Sequence, residues 1–190
     1  MDTSRLCATL GPLLQDLERA LGEIERATDS ADEQFWARVL PRLMFATVEA
    51  TTYELKRLVL EAFEDGQLSL SEDEVAVLRD TVPDVGSEGQ ITQRPRFIEP
   101  KRSLRLVFSL LVRMFGPDVA LQTDDHRFAS FARALGVRNR LTHPKGPTDV
   151  IIARQEIADM LLAFMWFQES LSVLLCKCDP TLEGLDLDDD

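Results

Sequence analysis

The sequence predicts an all-α protein, an antiparallel helical bundle with additional short helices. Three observations lead to this prediction. Apolar residues recur at steps of three and four over most of the chain, no stretch alternates convincingly at period two, and proline and glycine concentrate between the periodic segments. With 190 residues and 45% hydrophobic content, the chain is long enough to bury a sizeable core in one domain.

The first two predicted helices occupy the N-terminal third of the chain. The first is amphipathic and begins or is interrupted at Gly11-Pro12. The second is long and is expected to begin with Ser30 or Asp32 as its cap. It runs towards Phe63, and Pro41 is expected to kink it or to break it. The apolar seam of the first helix consists of Cys7, Leu10, Leu14, Leu17, Leu21 and Ile24.

The middle of the chain changes character. Ser71-Glu72-Asp73-Glu74 is typical of a capping box and predicts a short helix that ends at about Thr81. Residues 82–101 hold three prolines, two glycines and no periodicity, and they are expected to form a long loop.

Three further breaks define the C-terminal helices. A helix from Ser103 stops at Gly116-Pro117, and Asp124-Asp125 starts the next one, which leads into Arg138. Thr148-Asp149 is expected to begin the last long helix. Residues 1–178 are therefore predicted to be a single domain. Residues 179–190, with six acids and no base, are predicted to be an acidic, disordered tail.

Charge is distributed unevenly. The chain carries −12, but residues 91–145 contain eleven basic and four acidic residues, a net +7 that leaves −19 on the remainder. Such a basic island can attract a polyanion locally. Alternatively, it is neutralised within the molecule by packing against the acidic helices.

The cysteines do not indicate a disulfide framework, because there are only three. A closed zinc site needs four ligands, so Cys7, His126 and His143 would have to converge on Cys176-Lys177-Cys178. Incidental thiols and no metal or other cofactor are the expectation.

The chain is expected to be cytoplasmic and without a membrane contact. No signal peptide is evident at the N-terminus. The longest apolar run, Met160 to Phe167, is too short to span a bilayer.

The most informative segment is Arg138-Asn139-Arg140-Leu141-Thr142-His143, which Pro144 follows directly. An arginine holds a phosphate through planar N–H donors, and a histidine exchanges protons near neutral pH. On an ideal helix Arg138 and His143 lie about 140° apart, whereas residues four apart share a face. Because Pro144 disfavours helical geometry at the residue before it, the last turn is expected to open.

The string R-N-x-x-x-H at Arg138–His143, in an otherwise helical chain, resembles the motif of the HEPN superfamily. The resemblance implies a metal-independent endoribonuclease that acts as a homodimer with a composite cleft. Cleavage by such an enzyme leaves a 2′,3′-cyclic phosphate on one product. It also implies a toxin or defence role, with a neutralising protein partner. Some relatives are silenced at a tyrosine two residues after the histidine, but Lys145 stands there in this chain.

The resemblance assigns roles to five residues. His143 is the general base or acid, and Arg138 stabilises the pentavalent phosphate. Asn139 orients His143 or holds RNA, or is instead a capping or interface amide. Arg140 and Lys145 contact RNA phosphates or are ordinary solvated charges.

Two other interpretations stay open. The chain is a non-catalytic HEPN-like module that binds RNA, a nucleotide or a protein, or it is a structural helical protein whose motif is coincidental. No P-loop, dinucleotide-binding turn, nucleophile elbow or H-E-x-x-H motif appears in the sequence.

Overall fold

A computed structural model describes residues 3–178, so the acidic segment 179–190 lies outside the described residues. The described chain is mostly helical, as the predicted all-α class requires, with one two-stranded sheet. The elements in chain order are α1 (Ser4–Arg26), α2 (Ser30–Glu64), α3 (Glu72–Leu78), β1 (Thr81–Val85), β2 (Ile91–Pro95), α4 (Pro100–Phe115), α5 (His126–Thr142) and α6 (Arg154–Cys178). Short 3-10 helices lie at Pro117–Val119 and Pro147–Val150.

The chain divides into two compact units. One covers Thr52–Leu121, and the other covers Thr3–Thr51 with the chain from Gln122 onward. We call them the hairpin unit and the motif unit, after the sheet and the Arg138–His143 segment that they contain. The single domain expected over residues 1–178 stays a prediction.

In the motif unit, neither helix breaks at its proline, and the kink that was the other expectation at Pro41 stays a prediction. Pro12 lies inside α1 and Pro41 lies inside α2, so neither helix begins or ends there. An internal proline costs about 3 kcal/mol, and burial of the apolar face of each helix offsets this loss. The cap of α2 is Asp29, not Ser30 or Asp32, since its carboxylate accepts hydrogen bonds from the backbone N–H groups of residues 31 and 32.

Aromatic side chains form the centre of the motif unit. Phe131 of α5 lies 5.4 Å from Phe45 of α2 and 5.3 Å from Trp166 of α6, measured between ring centroids. All three are almost fully buried. The indole N–H of Trp166 donates to the carbonyl of Gln122, so the polar edge of the ring is satisfied. Cys7, placed by the sequence on the apolar seam of α1, is exposed instead, and Leu6 is buried in its place.

A buried carboxylate joins α5 to α6. Asp159 of α6 accepts hydrogen bonds from Arg133 at 2.7 and 2.8 Å and from Ser130 at 3.1 Å. Arg127–Glu169 and Arg140–Glu156 lie on either side of it, so the two helices run antiparallel. The hydrogen bonds from Arg133 hold the pKa of Asp159 below its usual range, despite its burial.

The last helix begins later than expected. Thr148-Asp149 belongs to the 3-10 helix Pro147–Val150, and the Asp149 carboxylate accepts from the backbone N–H of Lys145 at 2.7 Å. The side chain that the sequence suggests as the cap of α6 therefore closes a preceding turn. α6 starts at Arg154, where Glu156 accepts from the backbone N–H of Ala153.

α6 is the one described helix that is long and apolar enough to cross a membrane, by length and composition alone. Its most apolar 18-residue window has a mean hydropathy of 1.3, and 28% of that window is buried. The apolar run from Met160 to Phe167 is therefore part of a longer apolar helix. Core helices of soluble proteins have the same length and composition.

In the hairpin unit, the capping box that opens α3 is confirmed. The Ser71 hydroxyl accepts from the backbone N–H of Glu74, and the Glu74 carboxylate accepts from the backbone N–H of Ser71. Arg113 of α4 donates to Glu74 at 2.7 Å and so holds α3 to α4. Lys56, almost fully buried on α2, pairs with Asp80 at 2.5 Å where the chain enters β1.

The loop expected over residues 82–101 is instead an antiparallel hairpin, and α4 begins at Pro100, after the four residues 96–99. Each strand contains one proline, Pro83 or Pro95, which argues against a strand in a sequence. Apolar alternation is also missing, because most side chains on both strands are exposed. The signals that identify a strand depend on a buried face, and this hairpin has none of appreciable size.

We expect Asp159→Asn to lower the free energy of unfolding by about 1–3 kcal/mol, because it removes a buried charge that accepts several hydrogen bonds. Urea denaturation of the full chain measures this change. Glu169→Gln is the matched control, since Glu169 pairs with Arg127 at the surface. Equal losses in the two variants would contradict the structural role given to Asp159.

The same pair predicts a pH dependence. Because the pKa of Asp159 is lower in the folded than in the unfolded chain, its stabilisation is fully present above the unfolded pKa of about 3.9 and is lost at lower pH. The stability difference between wild type and Asp159→Asn should therefore shrink as the pH falls below about 4. A difference that stays constant down to acidic unfolding would show that the charge of Asp159 is not what stabilises the fold.

Candidate functional site

The C-terminal end of α5 brings the motif residues to the surface of the motif unit. Asp125 caps the start of α5, since its carboxylate accepts from the backbone N–H of Arg127 at 2.8 Å. It ends at Thr142, and His143 follows with φ −133° and ψ 62°, outside the helical region. The opening expected before Pro144 is therefore confirmed. The backbone N–H of His143 still donates to the carbonyl of Asn139 at 3.1 Å, which fixes the position of the turn.

Arg138 is bound to a carboxylate. Its guanidinium donates to Glu49 of α2 at 2.7 Å and to the side-chain oxygen of Asn139 at 3.2 Å. The Arg138 side chain is 27% exposed, so the ion pair lies at the surface. Because carboxylate and phosphate oxygens present similar acceptors to a guanidinium, Glu49 occupies a position that a phosphate could take.

His143 is free at the surface. Its imidazole is exposed and has no hydrogen-bond or ion-pair partner within residues 3–178. The structure therefore joins Arg138 to Asn139 by their side chains, but it does not join either side chain to His143. Asn139 contacts His143 through the backbone alone.

Arg140 holds the segment after the motif in place. Its guanidinium pairs with Glu156 of α6 at 2.9 and 3.0 Å and donates to the carbonyl of Ile151 at 3.1 Å. Its Nε is buried and is the one buried side-chain polar atom in the described part of the chain without a hydrogen bond. The guanidinium of Arg140 is therefore occupied by contacts within the fold, and Arg140 could contact RNA only if these contacts were broken.

Lys145 is placed differently from Arg140. Its side chain is exposed and has no ion pair within the described residues, while its backbone N–H is bound to Asp149. A phosphate contact by Lys145 would therefore cost no existing interaction of its side chain.

One face of α2 adds two arginines that the sequence analysis missed. Arg38, Arg42 and Glu49 lie within about 40° of one another around an ideal helix. Arg38 donates weakly to the carbonyl of Val150 at 3.5 Å, and Glu49 pairs with Arg138, so this face of α2 borders the motif and the segment after it. Arg42, between them, is exposed and has no ion pair in the described chain. The spacing along α2 was a usable signal, but these residues fall outside the basic island.

The basic island is neutralised to a large extent within each unit. At least seven of its eleven basic residues pair with an acid, namely Arg94, Arg102, Arg113, Arg127, Arg133, Arg138 and Arg140. The charge count of residues 91–145 therefore overstates the positive charge offered to a ligand. Arg96, Lys101 and Lys145 have no ion pair among the described residues and carry what remains, beside Arg105.

The second histidine is remote from the first. His126 is the first residue of α5 and its side chain is 80% exposed beside Asp125. Seventeen residues of helix at 1.5 Å per residue place it about 25 Å from His143. One chain therefore presents one histidine at the motif.

The described residues contain no cluster of three or more histidine, cysteine or acidic side chains arranged to hold a metal ion. Cys176 and Cys178 are half-buried near the end of α6, and Cys7 is exposed on α1. Burial raises the pKa of Cys178 to about 11, so its thiol is protonated at neutral pH.

Comparisons with models of protein families, with curated proteins and with solved structures find no match for this chain.

We expect Glu156→Gln to lower the free energy of unfolding by about 1–2 kcal/mol, because Glu156 accepts charged hydrogen bonds from Arg140 and one from the backbone of Ala153. Urea denaturation measures the loss, and hydrogen exchange should show faster opening of residues 144–153. Glu33→Gln is the control, since Glu33 pairs only loosely with Arg154, at 3.7 Å. A loss no greater than in the control would remove the anchoring role of Arg140.

Proposed function

We propose that this protein is a metal-independent endoribonuclease of the HEPN type, acting as a homodimer in which two copies of the motif form one cleft. The observation that carries the proposal is the end of α5. There an unpartnered imidazole and a surface guanidinium are held within one and a half turns of each other.

The chemistry follows from what RNA supplies. The ribose 2′-oxygen attacks the adjacent phosphorus while one histidine removes its proton, and the bond from phosphorus to the 5′-oxygen breaks. A second, protonated histidine gives its proton to the departing 5′-oxygen. Arg138 stabilises the negative charge on the phosphorus oxygens in the transition state, after the phosphate displaces Glu49. The products are a 2′,3′-cyclic phosphate and a 5′-hydroxyl.

The separation of the two histidines supports the dimer. A base and an acid are needed at one phosphate, and His126 is about 25 Å from His143 along α5. A second chain can supply a second His143. Val150 and Ile151, which follow the motif and expose apolar side chains, provide surface for such a contact.

The remaining residues have supporting roles. Asn139 orients Arg138 through its side-chain oxygen, and it positions His143 through its backbone. Lys145 and Arg42 are the cations next to the motif that can reach a phosphate without losing an ion pair. Arg140 acts on the site by holding the segment after the motif, and its assignment as an RNA contact is the weakest of the five.

A ribonuclease with no cofactor must be kept inactive in its own cell. We therefore place the protein in the cytoplasm as a toxin or defence effector, and a protein partner that covers the exposed His143 would neutralise it. No membrane is part of this proposal.

A non-catalytic module that binds RNA or a protein is the second candidate. The ion pair between Arg138 and Glu49 favours it, because the guanidinium already has its anion. The two candidates differ in whether RNA is cut.

We expect His143→Ala to reduce cleavage of total RNA at least about 100-fold, because general acid–base catalysis is lost. Arg138→Ala should reduce cleavage by a similar factor, since it removes transition-state stabilisation. Gel analysis of RNA incubated in EDTA, with end-group analysis for cyclic phosphate, measures both. His126→Ala is the matched control, because it removes an exposed histidine from the other end of the same helix.

Loss of cleavage with His126→Ala as well would contradict the assignment. Absence of cleavage by a wild-type protein shown to be dimeric would favour the binding module.

We expect Glu49→Gln to raise the affinity for RNA by about two- to fivefold, because it releases Arg138 from an ion pair of about 0.4–1 kcal/mol. Fluorescence anisotropy with a labelled RNA measures the change, in a His143→Ala background that prevents cutting. Glu169→Gln makes the same charge change on another surface pair of the motif unit and corrects for net charge. An equal effect of the two substitutions would show that Arg138 does not contact the phosphate.

A further inference from the structure

We propose that the β-hairpin of the hairpin unit is a binding surface for single-stranded nucleic acid, centred on the exposed ring of Phe97. For the function proposed above, this means that the RNA substrate is single-stranded. The proposal rests on that function only for the choice of RNA, since binding does not require cleavage.

Backbone hydrogen bonds close both ends of the hairpin. The backbone N–H of Gly86 donates to the carbonyl of Gln90 at 2.8 Å, and the backbone N–H of Gly89 donates to the carbonyl of Gly86 at 2.9 Å. Residues 87–89 therefore form a three-residue turn. Gly89 has φ +79°, a left-handed conformation that glycine adopts without strain. At the other end of the hairpin, the backbone N–H of Arg96 donates to the carbonyl of Asp80 at 2.7 Å.

Both edges of the hairpin resist pairing with another strand. Residues 86 and 90 form a hydrogen-bonded pair, and so do residues 80 and 96. The backbone N–H and C=O groups of the even-numbered residues between them therefore point to the partner strand, and those of the odd-numbered residues point away from it. Pro83 and Pro95 are odd, so each outer edge lacks one N–H donor. Strand addition by a protein is therefore a poor explanation for the exposed side chains of the hairpin.

Those side chains are unusually apolar for a surface. Val85 and Ile91 lie opposite each other and are 67% and 71% exposed. Phe97, just after β2, is 87% exposed, which leaves its ring open on both faces. A planar ring in water is the platform on which an unstacked base binds.

Basic residues flank Phe97 in the sequence. Residues 94–105 contain five basic residues and one acid, a net +4 within a chain of −12, while the rest of the hairpin carries the acids Asp84 and Glu88. Arg96 has no ion pair in the described chain, and Lys101 has none either. Arg94 and Arg102 pair with exposed acids at 3.2 and 3.6 Å, and such surface pairs exchange readily for a phosphate.

The combination selects a single strand over a duplex. Phosphates of either form can bind the arginines, but a base can stack on Phe97 only if it is not already paired and stacked. An acidic protein segment would satisfy the charges, yet it would leave the ring without a planar partner.

The test measures affinity for a fluorescein-labelled, unstructured RNA of about 16 nucleotides by anisotropy, with the full chain carrying His143→Ala. Phe97→Ala should weaken binding about 5- to 100-fold, because stacking contributes about 1–3 kcal/mol per base. Phe35→Ala is the matched control, since Phe35 is also an exposed phenylalanine but follows Asp32 and Glu33. Phe97→Trp should retain affinity, and Arg96→Gln should reduce the salt dependence by about one phosphate.

Two further probes separate the possible ligands. A single-stranded DNA of the same sequence should bind within a few-fold of the RNA, because stacking does not read the 2′-hydroxyl, and the RNA duplex should bind more weakly. Equal binding of duplex and single strand, equal effects of Phe97→Ala and Phe35→Ala, or no binding to the single strand would overturn the proposal. Unchanged thermal unfolding of Phe97→Ala is expected, since the side chain is exposed.

The two proposals fail separately. If the hairpin does not bind RNA, Phe97→Ala leaves binding unchanged while His143→Ala still removes cleavage. If the chain is not a nuclease, wild type does not cut RNA, yet Phe97→Ala still weakens binding.

Discussion

The carboxylate of Asp159 is almost entirely removed from water on α6, and a charge in that environment is tolerated only when it is neutralised. Arg133 of α5 neutralises the charge and Ser130 adds a hydrogen bond, so α5 has one register against α6. The end of α5 then falls where Arg140 meets Glu156 and Arg138 meets Glu49. The placement of the motif is therefore a consequence of helix packing in the motif unit, and the motif itself contributes only its last turn.

The charges illustrate what a linear reading of the sequence omits. Residues 91–145 are strongly basic as a segment, but the acids that pair with the arginines of α5 include Glu49, Glu156 and Glu169, outside that segment. Two alternatives, attraction of a polyanion and intramolecular neutralisation, were left open by the sequence. The structure shows extensive neutralisation, and it leaves the uncompensated cations in two small areas, around Lys145 in one unit and around Arg96 in the other.

The helices were predictable because their signals are local. The capping box at Ser71 and the cap at Asp125 act within three residues, and the opening before Pro144 acts on a single residue. The predictions failed where a tertiary contact decides the outcome. A turn to Lys145 takes the carboxylate of Asp149 that was expected to cap α6. Burial keeps α2 continuous at Pro41, where a break was one of the two expectations. The hairpin was not predicted, because its exposed strands lack the alternation of apolar and polar residues that identifies a half-buried strand. The open last turn of the candidate segment could be predicted, but the pairing of Arg138 with Glu49 and the neighbouring Arg42 could not be read from the sequence.

The exposed state of His143 and the bound state of Arg138 have different consequences for any function of this site. An imidazole without a partner needs no rearrangement before it takes a proton, whereas a guanidinium bound to Glu49 must exchange one anion for another. That exchange favours a ligand only if the ligand offers more than a single carboxylate, for example a phosphate held at the same time by further cations. If the proposed function holds, a chain with a net charge of −12 and few uncompensated cations would bind an isolated anion weakly and would favour a ligand that engages several cations at once. A flexible polyanion with bases that can stack meets this requirement better than a compact anion does.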